Sequence, residues 1–146
     1  MKLSSHDLRE MNLLKYYRIV RKWASDQNNL QDADIELLIY LDCVGRFNRK
    51  DYAAGVYAYR WDKHRWDRLR SDDWISVWRE RNRTTQTYTI YQVSQKGKNL
   101  IMRIYRILLG EEDIPTSRTN VYYKNKSYTD KVRNKAIDDM IKDKDR

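Results

Sequence analysis

The sequence predicts a mainly α fold with a small antiparallel β-hairpin. Only 4 Gly and 1 Pro punctuate 146 residues, too few for a turn-rich all-β sandwich. Apolar side chains recur at helical spacing along most of the chain. Two runs, Trp74-Ile75-Ser76-Val77-Trp78 and Thr87-Tyr88-Thr89-Ile90-Tyr91-Gln92-Val93, are instead β-branched and aromatic, as strands are. With 40% hydrophobic residues, 12 Tyr and 5 Trp, the chain has enough apolar surface for a modest core. No repeat, Ser/Gly linker or low-complexity tract marks a boundary, so residues 1–146 read as one domain.

The first helix is expected over residues 8–25, where Leu8, Met11, Leu14, Tyr17, Val20 and Trp23 recur every three positions. Asp26-Gln27-Asn28-Asn29 breaks it. Asp32 or Asp34 can cap a second helix, which Ile35, Leu37, Leu38, Ile39 and Leu41 make apolar nearly all round until Gly45 stops it. Cys43, at its end, is expected to be a small buried side chain. Asn48-Arg49-Lys50-Asp51 begins a short third helix, with Asn48 accepting from a backbone N–H three residues on, and Gly55 closes it. The stretch 59–72 lacks Gly and Pro and reads as a fourth helix with Trp66 and Leu69 facing the core. The two strands follow, joined by the polar tip Arg79-Glu80-Arg81-Asn82-Arg83-Thr84-Thr85-Gln86. Ser94 caps a fifth helix over 94–110, ended by Gly110 and Pro115. Residues 111–128 read as an extended arm, and Thr129 as the cap of a last helix over 129–142.

Charge is uneven along these elements. The chain carries 30 Lys+Arg and 21 Asp+Glu, a net +9. Residues 1–43 hold 6 basic and 7 acidic groups, residues 44–93 hold 11 and 6, and residues 94–146 hold 13 and 8. The surplus therefore begins at the middle segment and implies an anionic partner. A single Cys excludes an intramolecular disulfide and fits a reducing compartment. No apolar run approaches the roughly 20 residues that span a bilayer, and the N-terminus lacks the apolar core of a signal peptide. A soluble, cytoplasmic protein without membrane partner is expected. No glycine-rich phosphate loop or nucleophile motif is present, and two His without a Cys/His cluster make no metal site. Neither enzyme activity nor a cofactor is expected.

The order helix, helix, short helix, basic helix, strand, basic turn, strand, helix resembles a winged helix-turn-helix. Residues 30–109 carry the resemblance. Leu69-Arg70-Ser71-Asp72-Asp73-Trp74-Ile75-Ser76-Val77-Trp78 resembles that family's exit from recognition helix to wing, with Asp73 where Gly is usual; an Asp can adopt the left-handed conformation needed there. Tyr91-Gln92-Val93-Ser94-Gln95-Lys96-Gly97-Lys98 resembles its strand-to-helix junction, a hydroxyl residue followed three positions later by Gly. With its added N-terminal and post-wing helices the chain is similar to MarR-type transcriptional regulators, and to small MarR-like proteins encoded by marine phages. The resemblance implies double-stranded DNA as partner, a homodimer through helices 8–25, 94–110 and 129–142, and permits a small aromatic effector. The wing reads Glu80-Arg81-Asn82-Arg83 where the family has Asp-x-Arg, which opens its arginines to DNA.

A recognition helix of about 60–72 fits the major groove, and a basic tip at about 79–86 can meet phosphates or the minor groove. With Trp66 and Leu69 inward, Arg60, Lys63, His64 and Arg68 fall on or near the opposite face. Arg49 and Lys50 on the third helix, and Arg81 and Arg83 in the wing, complete the expected DNA-binding set. His64 reads equally as a DNA contact or a solvated side chain. Trp23, Trp66 and Trp74 read as core; Trp61 and Trp78 fit that periodicity less well, and aromatics among arginines also suit stacking on single strands. The competing class is a winged-helix protein-interaction or virion-associated module, whose basic face would meet an acidic protein surface.

Overall fold

The computed structural model describes residues 4–11, 15–55, 63–82, 88–124 and 127–144. They contain the helices α1 (Ser5–Met11), α2 (Tyr17–Gln27), α3 (Asp32–Val44), α4 (Arg49–Gly55), α5 (Lys63–Ser71), α6 (Gln95–Leu108) and α7 (Tyr128–Lys144), and the strands β1 (Ile75–Arg79) and β2 (Ile90–Val93). The expected class, mainly helical with one small antiparallel sheet, is observed. Packing gathers the chain into two compact units, residues 33–102 and residues 1–32 with 103–146. No helix among the described residues is long and apolar enough to cross a membrane.

In the unit of residues 33–102, α3 buries Ile35, Leu37, Leu38 and Leu41, and Gly45 ends it at φ 90° with its N–H on the Leu41 carbonyl, 2.9 Å away. Cys43 is exposed, contrary to expectation. Glu36, Tyr40, Cys43 and Val44 lie four, three and one residues apart and form the helix's outer edge, which a nearly all-apolar composition conceals. Asp34, expected as a cap, lies inside α3 and is wholly buried. α4 starts on a reciprocal cap: the Asp51 N–H donates to Asn48 Oδ1 and the Asn48 N–H to Asp51 Oδ2, each at 3.0 Å.

β1 and β2 pair antiparallel, Ile75 with Val93 and Val77 with Tyr91, and an irregularity follows at Trp78. Phe47 bridges the free edge of β2, exchanging hydrogen bonds of 2.9 and 2.7 Å with Tyr91. Trp66 of α5 packs edge-on against Tyr52, Phe47 and Tyr91, with centroids 5.0, 6.5 and 4.7 Å away. Such edge contacts add about 0.5–1.5 kcal/mol each beyond buried area. Asp73 adopts φ 62°, as its position after α5 demands. The Ser94 hydroxyl then donates to the Asp73 carbonyl at 2.6 Å and accepts the Gly97 N–H at 3.1 Å, capping α6. A Cβ on Gly97 would lie 2.5 Å from Val93 Cγ1 and 3.1 Å from the Trp74 carbonyl, which accounts for glycine there.

In the other unit, the single helix expected over 8–25 is two, α1 and α2, with a turn at Lys15 and Tyr16. A strict three-residue repeat slips by about 60° per step around an α-helix, so the stripe winds around one long helix but suits two short ones. Ser4 and Asp7 cap α1 reciprocally, the Ser4 N–H donating to Asp7 Oδ2 and the Asp7 N–H to Ser4 Oγ, and hydrogen bonding from the Ser4 backbone and then its hydroxyl holds the Asp7 carboxyl below the usual range. Asn29, at φ 56°, ends the turn after α2. Asp32 is the first residue of α3 and accepts the Ser25 hydroxyl at 2.7 Å.

Residues 111–124 are turns docked on α2, where an extended arm was expected. The Gln27 side chain binds them as a backbone would, donating to the Thr119 carbonyl at 2.9 Å and accepting from the Val121 N–H at 2.8 Å. Tyr122 is buried, its hydroxyl 2.5 Å from Asp26 Oδ2, which also accepts Arg133 of α7 at 3.0 Å. Burial and the Asp26 carboxylate raise the Tyr122 pKa far above the ordinary phenol value. Ser127, not Thr129, caps α7, its hydroxyl accepting the Asp130 N–H at 3.1 Å.

Candidate nucleic-acid interface

Several basic side chains of the unit of residues 33–102 are held against the protein. Arg68 donates to both oxygens of Asp34, at 2.9 and 2.7 Å, and Arg65 Nε lies 3.0 Å from Asp34 Oδ1. Arg68 was expected to face DNA. Its guanidinium is instead committed to a carboxylate that has no solvent exposure, as Asp34 requires, because a buried charge without a partner costs several kcal/mol. Arg70 lies over the Tyr91 ring at 5.3 Å, Lys96 over the Trp74 ring at 4.1 Å, and Arg46 over the Trp78 ring at 3.8 Å.

Lys63 and His64 are exposed on the first turn of α5, His64 opposite Trp66 and Leu69 by helical spacing and Lys63 on the flank. Arg49 and Lys50 open α4, and Arg81 lies just past β1; all three are exposed. Together they line one open cleft of about 540 Å³, with Asn48, Tyr88, Thr89 and Tyr91 completing its wall. The Asn48 cap starts α4, and the Phe47 bridge to Tyr91 holds that start beside β2. Thus three residues proposed separately from sequence meet at one place. Arg60 and Arg83 lie outside the described residues.

Sequence reasoning passed over Arg65, Arg46 and Tyr88. The first carried no signal apart from its three-residue spacing from Arg68, since its partner is 31 positions away. Tyr88 was hidden in a strand-like run, yet it precedes β2 and is 60% exposed. Trp23, Trp66 and Trp74 are buried, whereas Trp78 is 38% exposed, so only the last of these four can meet a ligand. Among the described residues no group of three or more His, Cys, Asp or Glu could hold a metal ion. Comparison with protein-family models, with curated proteins and with solved structures returned no match.

Proposed function

We propose that this protein is a sequence-specific double-stranded DNA-binding regulator of the winged helix-turn-helix, MarR-like type. The observation that carries the reading is the convergence of Arg49, Lys50 and Arg81 on one cleft of the unit whose α5 exposes Lys63 and His64. The order α3, bridge residue Phe47, α4, α5, β1, β2, α6 is compatible with that architecture. In it, α5 enters the major groove, where Lys63 can donate to guanine O6 or N7 and His64 reaches a base edge or phosphate. Arg49, Lys50 and Arg81 neutralise phosphates, fixing register and supplying most of the salt-dependent affinity.

The reading includes a homodimer, so that two α5 helices meet two half-sites. Exposed apolar side chains support it: Met102 and Leu109, seven residues apart along and just past α6, and Tyr128 and Val132, four apart on α7. Selection from a random duplex pool tests the whole. Enrichment of a two-fold symmetric site is expected; recovery of no common sequence overturns specificity. Light scattering that shows only the 17.9 kDa single chain removes the dimer.

A further inference from the structure

The cleft at the start of α4 is more than a row of cations. Its wall also includes Tyr88, a residue 60% exposed, together with Asn48 and Thr89. At about 540 Å³ it falls within the roughly 300–1,000 Å³ of sites that enclose a small molecule. A phosphate track needs charge alone; an aromatic ring open to solvent beside that charge offers a face on which a base can stack. Bases inside a duplex are already stacked on both faces and cannot use it. A second such surface lies on the wing, where the Arg46 guanidinium covers the Trp78 ring at 3.8 Å and both side chains are exposed. Planar guanidinium and indole faces are both stacking partners for nucleobases.

We propose that the cleft takes an unpaired nucleotide, with the Tyr88 ring stacked on its base and Arg49, Lys50 and Arg81 on its phosphates, so that the protein prefers duplex from which a single strand departs. The inference rests on the nucleic-acid reading above and names the form of nucleic acid that the same site selects.

The test is fluorescence anisotropy with three labelled probes: a blunt duplex, the same duplex bearing a short thymine tail, and the tail alone. The tailed duplex is expected to bind roughly five-fold or more tighter than the blunt one. Tyr88→Ala removes that difference, while Tyr88→Phe keeps it, since a phenyl ring still stacks. Circular dichroism checks that each variant is folded. Equal affinity of the unaltered protein for blunt and tailed duplex overturns the stacking and leaves duplex binding standing. Equal losses on both probes in Tyr88→Ala make Tyr88 an ordinary duplex contact and also overturn it. Binding to no probe overturns the nucleic-acid reading itself.

Discussion

Arg68 grips Asp34 with a single terminal nitrogen, 2.9 Å from one carboxylate oxygen and 2.7 Å from the other, and so fastens α5 to α3 inside the unit of residues 33–102. Asp34→Ala removes the carboxylate that Arg65 and Arg68 share between α3 and α5. A loss of about 3 kcal/mol in urea unfolding is expected. Arg68→Ala is expected to lower stability by about 1–3 kcal/mol and to leave the DNA affinity of the folded fraction unchanged, as titration with active-site-independent protein quantitation would show. A large drop in affinity at full stability would return Arg68 to the DNA-reading set.

The junction between β2 and α6 tolerates no side chain at Gly97. Gly97→Ala places a methyl 2.5 Å from Val93 Cγ1 and close to the Trp74 carbonyl, and overpacking of this kind costs about 1–3 kcal/mol. Ser94→Ala loses the cap of α6 and the bond to the Asp73 carbonyl, a further site of about 1–2 kcal/mol. Thermal melts of the two single variants measure both.

How much of this was legible before the structure follows from sequence distance. The Asn48 and Asp51 cap, the Ser94 and Gly97 pair, the left-handed Asp73 and the stops at Gly45 and Gly110 are settled within four residues, and residue type reveals them. The Asp34 pair spans 34 positions to Arg68, and the Tyr122 bond to Asp26 spans 96. No local pattern distinguishes a guanidinium bound for a buried carboxylate from one bound for phosphate. The break between α1 and α2 was missed because a three-residue apolar repeat was read as one helical face.

Tyr122 predicts an alkaline weakness. Its phenol is held protonated in the folded chain by burial and the neighbouring Asp26, while in the unfolded chain it ionises near the ordinary phenol value of 10.0. The folded state then binds the extra proton, so its contribution is complete below about pH 10 and declines as pH rises further. Stability measured by denaturant midpoint is expected to fall above that point, and Tyr122→Phe to flatten the fall. The same substitution costs about 1–2 kcal/mol at neutral pH through loss of the bond to Asp26.

The exposed cations of the cleft predict a salt signature. Replacing Arg49, Lys50 and Arg81 together by alanine should weaken binding uniformly across duplex sequences and reduce the slope of log affinity against log salt by about 2–3. Lys63→Ala should instead relax preference at one or two base pairs, costing about 1–3 kcal/mol on the selected site alone. Anisotropy titrations at several salt concentrations, on selected and scrambled duplexes, separate the two.

Tyr91 ties the β1–β2 sheet to its surroundings: it exchanges both backbone hydrogen bonds with Phe47, pairs with Val77, meets the Trp66 ring in a T-shaped contact and lines the cleft. Its amide should therefore be among the slowest in that unit to exchange with deuterium. Held by Phe47 on one edge and by Val77 on the other, Tyr91 makes β2 the middle member of a three-part ladder, so a substitution that disturbs its backbone should loosen Phe47 and β1 together.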